Sequence, residues 1–161
     1  TNEQPRLLMI AGPNGSGKSS LITSSEMDNK YDSIINPDNY ARGLNIPDEY
    51  ERYTTATCMC SVLRNKLLES KVTFGFETVA QEKKLDFVKR AISEGYAFDL
   101  LFVTAGSPEN CCLRIQERVL AGGHDVPRKK VFSRYKHTMN LLHEFLLLAD
   151  TAKYSTTVAT N

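Results

Sequence analysis

The sequence has no tryptophan, four cysteines, six prolines and almost no net charge: 20 basic against 19 acidic residues leave +1. Each scarcity excludes something. A near-zero balance rules out a global field that would draw in DNA or an anionic membrane, so any phosphate binding has to be built locally. Without tryptophan, a groove for single-stranded nucleic acid lacks its best stacking platform. The cysteines fall as Cys58-Met59-Cys60 and Cys111-Cys112, neither of which has the spacing of a zinc knuckle, and the three histidines near the C-terminus supply no complement. They read as reduced thiols filling space on helices. No apolar stretch approaches the roughly 20 residues that cross a bilayer. The opening TNEQPR has neither the charged start nor the apolar run of a signal peptide, so the expectation is a cytoplasmic domain without a membrane partner.

What is present suits one folded unit over 1–161. A hydrophobic content of 41% and a charged content of 24% argue against disorder. Apolar runs alternate with amphipathic ones. LLMIA (Leu7 to Ala11), SIIN (Ser33 to Asn36), TFGFET (Thr73 to Thr78) and FDLLFVTA (Phe98 to Ala105) read as buried strands, and YSTTVAT as a fifth. Helices are expected from Lys18 to about Ser25 and from Pro47 onward, where Tyr53, Ala56, Cys60, Val62 and Leu63 form a stripe. Another runs from Glu82 to Glu94 with Gly95 as its stop, and one opens at Ser107-Pro108 with a capping serine. The last runs from Pro127 to about Asp150. Strands alternating with helices imply an α/β layered fold with a mostly parallel central sheet, and with the glycine loop from Gly12 to Ser20 the expected fold class is a three-layer sandwich of P-loop NTPase type with a helical lid.

The stretch GPNGSGKSS fits GxxxxGK[ST] at every specified position and lies between an expected strand and an expected helix, the context that gives the motif its meaning. Glycines let the backbone curl until several N–H groups point at one anion, and the following helix adds the positive end of its dipole. The nucleotide-binding residues of this reading are Gly12, Asn14, Gly15, Ser16, Gly17, Lys18, Ser19 and Ser20. Lys18 would reach the β- and γ-phosphates, and the Ser19 hydroxyl would ligate Mg2+. ATP is the expected nucleotide, with GTP as the alternative. In FDLLFVTAG the acid Asp99 comes near the start of the strand and Thr104 ends it, so the acidic site of a motor-type ATPase is missing. The proportions suit a small kinase.

Two carboxylates fall at the C-terminal ends of expected strands, the edge where open α/β sheets bind ligands. Asp38 is the candidate base for an acceptor hydroxyl, with helix N-cap before NYARGL as the competing reading. Glu77 would bind Mg2+ through water or hold the acceptor. Between Arg114 and Lys136 the basic residues outnumber the acids and flank Gly122-Gly123, which suggests a lid over about 113–137 that closes on phosphates. Arg118 and Arg134 are its candidate catalytic arginines, and His124 reads as a lid contact rather than a metal ligand.

IAGPNGSGKSSL, INPDNYARGL, FETV and GYAFDLLFVTAGSPENCCLRIQERVLAGGHDVPRKKVFSRY occur in that order over most of 7–142. In these pieces the chain resembles the zeta-toxin family of P-loop kinases, especially its shorter bacterial members. The resemblance implies a kinase that phosphorylates a sugar hydroxyl, the family's best-known acceptor being the nucleotide sugar UDP-N-acetylglucosamine. It implies nucleotide and Mg2+ roles for Lys18 and Ser19, the base for Asp38 and a substrate-site acid for Glu77. It also implies a phosphate-approaching lid arginine for Arg118 and the arginine of the family's RY pair for Arg134. The shorter members continue into a strand ending near Asp-Asn-Ser, where this chain reads LADTAKYSTTVATN. An antitoxin partner is left open by the resemblance, and the residues themselves show none. Two other readings stand beside it: a polynucleotide or nucleoside kinase, and a nucleotide-binding regulatory module with little turnover.

Overall fold

The structure, a computed structural model, describes residues 3–18, 21, 31, 33–79 and 81–157. Its strands are β1 (Arg6–Ala11), β2 (Ile34–Ile35), β3 (Phe74–Thr78), β4 (Ala97–Thr104) and β5 (Thr151–Thr156). All neighbouring pairs are parallel, in the order β2-β3-β1-β4-β5. The helices are α1 (Pro37–Gly43), α2 (Glu49–Glu69), α3 (Glu82–Ser93), α4 (Pro108–Leu120) and α5 (Arg128–Leu148).

β1 is buried on both faces, as its uninterrupted apolar run requires in the middle of a parallel sheet. Leu7, Met9 and Ala11 point into the larger core with Phe74, Phe76, Phe98 and Phe102, under Cys60 and Leu68 of α2, Leu85, Val88 and Ala91 of α3, and Phe145 of α5. Leu8 and Ile10 point the other way, to Val103, Leu21 and Tyr31. Each fully buried Phe or Leu of this core stabilises the fold by about 1.5–3 kcal/mol before entropy is counted. A smaller cluster of Cys111, Cys112, Ile115, Val126 and Val131 joins α4 to α5 and gives the expected lid region a core of its own.

Local signals end the helices where the chemistry predicts. Ser107 accepts from Asn110 N at 3.1 Å to cap α4, with Pro108 at the first helical position. Gly95 takes φ +97° after α3, a conformation that a side chain would strain. α2 begins at Glu49, because Asp48 caps it by accepting from Glu51 N at 2.8 Å. Two expectations are corrected. Val62 is 55% exposed, since the buried stripe of α2 runs Ala56, Cys60, Arg64, Leu68 at four-residue intervals and Val62 faces away from it. The last strand begins at Thr151, three residues before YSTTVAT. Asp150 sets its register by donating from N to Phe98 O and accepting from Phe98 N, both at 2.8 Å. Lys18 and Leu21 after the glycine loop are helical, with Leu21 N bonded to Gly17 O. Of the rest of the helix expected to Ser25, residues 19, 20 and 22–25 lie outside the described residues. Three of the four cysteines are buried and all are free thiols on helices, as expected. Among the described residues, no helix is long and apolar enough to cross a membrane.

Asp99 sits at the amino-terminal edge of the sheet, away from the ligand edge. Arg6 donates to it from Nε at 2.8 Å and from a terminal nitrogen at 2.5 Å, and Thr151 and Tyr31 donate their hydroxyls. Burial works to raise its pKa, but these hydrogen bonds outweigh it and hold the carboxyl at about 2, against 3.8 when unperturbed. The lowered pKa means that the carboxylate's contribution, roughly 2 kcal/mol, is present above pH 4 and lost between about 4 and 2. Asp99→Asn is therefore expected to cost about 2 kcal/mol at pH 7 and far less at pH 2.5 in urea denaturation. An equal loss at both pH values would mean that the carboxylate charge is not what ties β4, β5 and Arg6 together.

Candidate functional site

Because every strand is parallel, all the loops that follow them open on one edge. The glycine loop follows β1, Asn36 to Asp38 follow β2, Glu77 lies near the end of β3 opposite Ile10, and Thr104 ends β4. A cavity of ≈ 1060 Å³ lies along this edge, lined by Asn14, Gly15, Gly17 and Lys18, by Asn36, Asp38 and Glu77, and by Arg114 and Arg118 of α4. Arg42, Arg52, Arg64 and Lys84 line it as well, so seven cationic side chains face four carboxylates (Asp38, Glu49, Glu77 and Glu117). Positive charge is concentrated in a nearly neutral chain.

The loop backbone is packed against other backbone. A Cβ on Gly12 would meet Val103 O at 2.0 Å, and one on Gly15 would meet Cys111 O at 2.4 Å. Gly15 also takes φ +76°. No other residue fits either position. Ser16 is fully buried and its hydroxyl has no hydrogen-bond partner among the described residues. A glycine cradle with an unpaired hydroxyl suits a polyanion, and the residues present fit a nucleotide phosphate. Ser19 and Ser20 lie outside the described residues. Mg2+ prefers oxygen donors, and Glu77, 8% exposed at the cavity wall, fits the role of an oxygen donor reached directly or through water. Among the described residues there is no cluster of three or more His, Cys, Asp or Glu that would hold a metal by itself.

Lys18 is 8% exposed and donates to Gly12 O and Pro13 O at 2.7 and 2.8 Å. Burial lowers its pKa to about 8, and Glu77 and Asp38 lie near enough to oppose that shift. Asn36 organises these acids. It is the N-cap of α1, its side-chain oxygen accepting from Asp38 N at 2.9 Å while its amide donates to Glu77 Oε2 at 2.6 Å. The N-cap reading of Asp38 is thus overturned: Asn36 caps, and the Asp38 side chain is left for the cavity it lines. Arg118 lines the cavity, but its guanidinium is bonded to His124 O at 3.1 and 2.7 Å, which folds the loop after α4 back on that helix. His124 in turn bonds Glu49 and lies 5.0 Å from the Tyr53 ring, so the loop after α4 touches α2. Arg134 approaches the glycine loop from α5 and donates to Asn14 Oδ1 at 3.1 Å.

Sequence reasoning did not single out three residues of this site. Asn36 was signalled only as part of INPD. Arg114 lies against the loop, 3.0 Å from where a Gly17 Cβ would stand. Thr157, the residue after β5, donates its hydroxyl to Ser16 O at 2.5 Å across 141 residues of chain. No local pattern announces such a contact.

Two stability changes follow. The Lys18 pKa is depressed from 10.5, so burying its charge costs stability below about pH 8, and the cost fades as pH rises toward 10.5. Lys18→Met should stabilise the nucleotide-free protein by about 2 kcal/mol at pH 7, with the gain shrinking by pH 10, while abolishing nucleotide binding. A destabilised variant at pH 7 would sink this account. Asn36→Ala, which removes a cap and a partner of Glu77, should cost about 1–2 kcal/mol in chemical denaturation. A loss under about 0.3 kcal/mol would mean that the bridge contributes nothing.

No protein-family model and no curated protein matches the chain by sequence. Solved structures do match its fold. A candidate kinase from Chloroflexus aurantiacus superposes with TM-score 0.68 at 16% identity, covering 98% of this chain and 90% of the other. A chain of the PezAT chromosomal toxin–antitoxin system of Streptococcus pneumoniae gives 0.69 at 18% identity, over 96% and 69%. A gluconokinase from Sinorhizobium meliloti gives 0.53 at 19% identity, over 99% and 86%. At such identities the likeness is one of fold: an α/β sandwich on a parallel five-stranded sheet, of the kind seen in P-loop kinases.

Proposed function

We propose that this protein is a kinase that transfers the γ-phosphate of ATP, with Mg2+, to a hydroxyl of a small metabolite, a UDP-amino-sugar such as UDP-N-acetylglucosamine being the leading acceptor. The observation that carries the reading is the convergence of Lys18, Asp38 and Glu77, from three different strand ends, on one cationic cavity. The candidate kinase and the gluconokinase that share the fold support phosphoryl transfer, the gluconokinase with a different acceptor. The acceptor comes from the sequence resemblance.

In this reading Lys18 and the loop N–H groups hold the β- and γ-phosphates and offset the charge that builds on them. Ser19 and Glu77 would hold Mg2+, which would add to that neutralisation. Asp38 accepts the proton of the acceptor hydroxyl as its oxygen bonds to the γ-phosphorus; the bond to the β-phosphate oxygen breaks, and ADP leaves. Glu77, kept in position by Asn36, orients the acceptor. Arg118 serves the transition state once its guanidinium exchanges His124 O for phosphate oxygens. Arg134 holds the glycine loop through Asn14. A regulatory module without turnover would not need two carboxylates so near the phosphate-binding lysine, which favours the kinase.

The test is transfer of labelled γ-phosphate from ATP with Mg2+ to UDP-sugars, nucleosides and 5′-hydroxyl oligonucleotides. A UDP-amino-sugar should be phosphorylated, and Asp38→Asn should lower kcat by about 10²–10⁴ with ATP affinity within a few-fold of wild type. Transfer to oligonucleotides alone would make the protein a polynucleotide kinase. ATP binding with no transfer to any acceptor would return it to the regulatory reading.

A further inference from the structure

The cavity holds a second concentration of positive charge that the transfer chemistry leaves unused. Arg64 lies on the buried stripe of α2 and is 5% exposed, at a position where the helix otherwise presents Ala56, Cys60 and Leu68. Its Nε is completely buried without a hydrogen-bond partner, and no carboxylate pairs with the guanidinium among the described residues. What it does touch is aromatic: the charged carbon lies 5.4 Å from the centroid of Phe76 and 5.7 Å from that of Phe87. Those ring faces offset part of the cost of desolvating the charge, but they leave its donors unanswered. A buried cation ordinarily has an anion beside it.

Lys84, in the first turn of α3, lines the same cavity wall. Burial, and after it the charge of Arg64, pull its pKa down to about 8, and none of the ion pairs among the described residues joins either cation to a carboxylate. α3 also opens here: Gln81, its N-cap residue, lines the cavity and makes no capping hydrogen bond from its side chain. The positive end of the helix dipole therefore adds to the two side chains.

The sheet order separates this cluster from the nucleotide loop. Arg64 stacks over Phe76 of β3, between β1 and the β2 edge, whereas Arg114 and Arg118 reach the loop from α4, which follows β4 on the other side of β1. Phe76 belongs to the strand that also carries Glu77, so the Arg64–Lys84 pair lines the β3 side of the cavity.

We propose that Arg64 and Lys84 form a subsite for a phosphate group carried by the acceptor, so that the anion of the acceptor, whether the diphosphate of a nucleotide sugar or a simple phosphate ester, is recognised separately from the hydroxyl that reacts. The assignment rests on the kinase reading for the word acceptor; the anion subsite itself rests on the cavity, the buried unpaired guanidinium and the opposed lysine. A phosphoryl dianion matches two cations better than a single carboxylate does, and the planar guanidinium can answer two of its oxygens at once.

The experiment begins with protein saturated with Mg2+ and a non-hydrolysable ATP analogue, so that the glycine loop is filled, and titrates it with inorganic phosphate by calorimetry. One further phosphate should bind. Arg64→Met and Lys84→Met should each weaken it at least tenfold, Arg64→Lys should retain part of the affinity, and Lys89→Ala, an exposed residue of α3, should leave it unchanged. Lys84→Met keeps the test valid if Arg64→Met fails to fold. The assignment is overturned if loaded wild type binds no phosphate, if both variants bind it as wild type does, or if acetate binds as tightly as phosphate. Paired acceptors then separate the two proposals. Phosphate binding lost in the variants, with no transfer to any acceptor, would leave the subsite standing and remove the kinase. Transfer to a neutral amino sugar as efficient as to its phosphate ester would keep the kinase and remove the subsite.

Discussion

The contact on which the site depends is between backbone and backbone. The glycine loop lies against the carbonyls of Val103 and Cys111 with no room for a methyl group, so its position is set by β4 and the start of α4 rather than by its own sequence alone. Close packing of this kind is unforgiving, because neither partner has a flexible side chain that can yield. Once the loop is so held, Thr157 at the end of β5 and Arg134 on α5 attach to it by single hydrogen bonds. The cavity inherits its shape from this arrangement: a lysine inside the loop, carboxylates arriving from β2 and β3, and arginines arriving from α4.

Charge follows the same geography. With 20 basic and 19 acidic residues the chain as a whole projects little field, yet its ligand edge gathers seven cations and four carboxylates into one cavity. Two of those cations are buried in different ways. Lys18 has two carbonyl oxygens within hydrogen-bond distance and two carboxylates nearby; Arg64 has two aromatic faces, and its buried Nε has no hydrogen-bond acceptor among the described residues. At the other end of the sheet the opposite solution appears, since Asp99 is satisfied by an arginine and two hydroxyls. The unbalanced charge is kept where ligands enter, and the balanced charge where strands are tied together.

Much of the fold is legible residue by residue. Leu7 to Ala11 is apolar throughout because it is buried on both faces, and Ser107-Pro108 and Gly95 mark helix ends by local hydrogen bonding and backbone freedom. The misreadings have equally physical causes. Val62 looks like part of an apolar stripe, but the core side of α2 accepts Arg64 in its line, so hydrophobicity alone points to the wrong face. The last strand was sought at YSTTVAT, where the residues favour β structure. Its register is set instead by Asp150 clasping the backbone of Phe98, a contact 52 residues apart.

Taken alone, the sequence determined the parts that a few consecutive residues can specify: the glycine loop with its lysine, the strand–helix alternation, the acids that follow β2 and β3, and the basic lid segment. Those signals are local because backbone torsion, helix capping and apolar periodicity are local. Only the tertiary structure decided that Asn36, rather than Asp38, caps α1 and holds Glu77, that Thr157 and Arg114 brace the loop, and that Arg64 is buried on the cavity wall it shares with Lys84, its Nε unpaired among the described residues. Each of these depends on which strands are neighbours, and a parallel sheet joins residues whose separation along the chain carries no trace of their meeting in space.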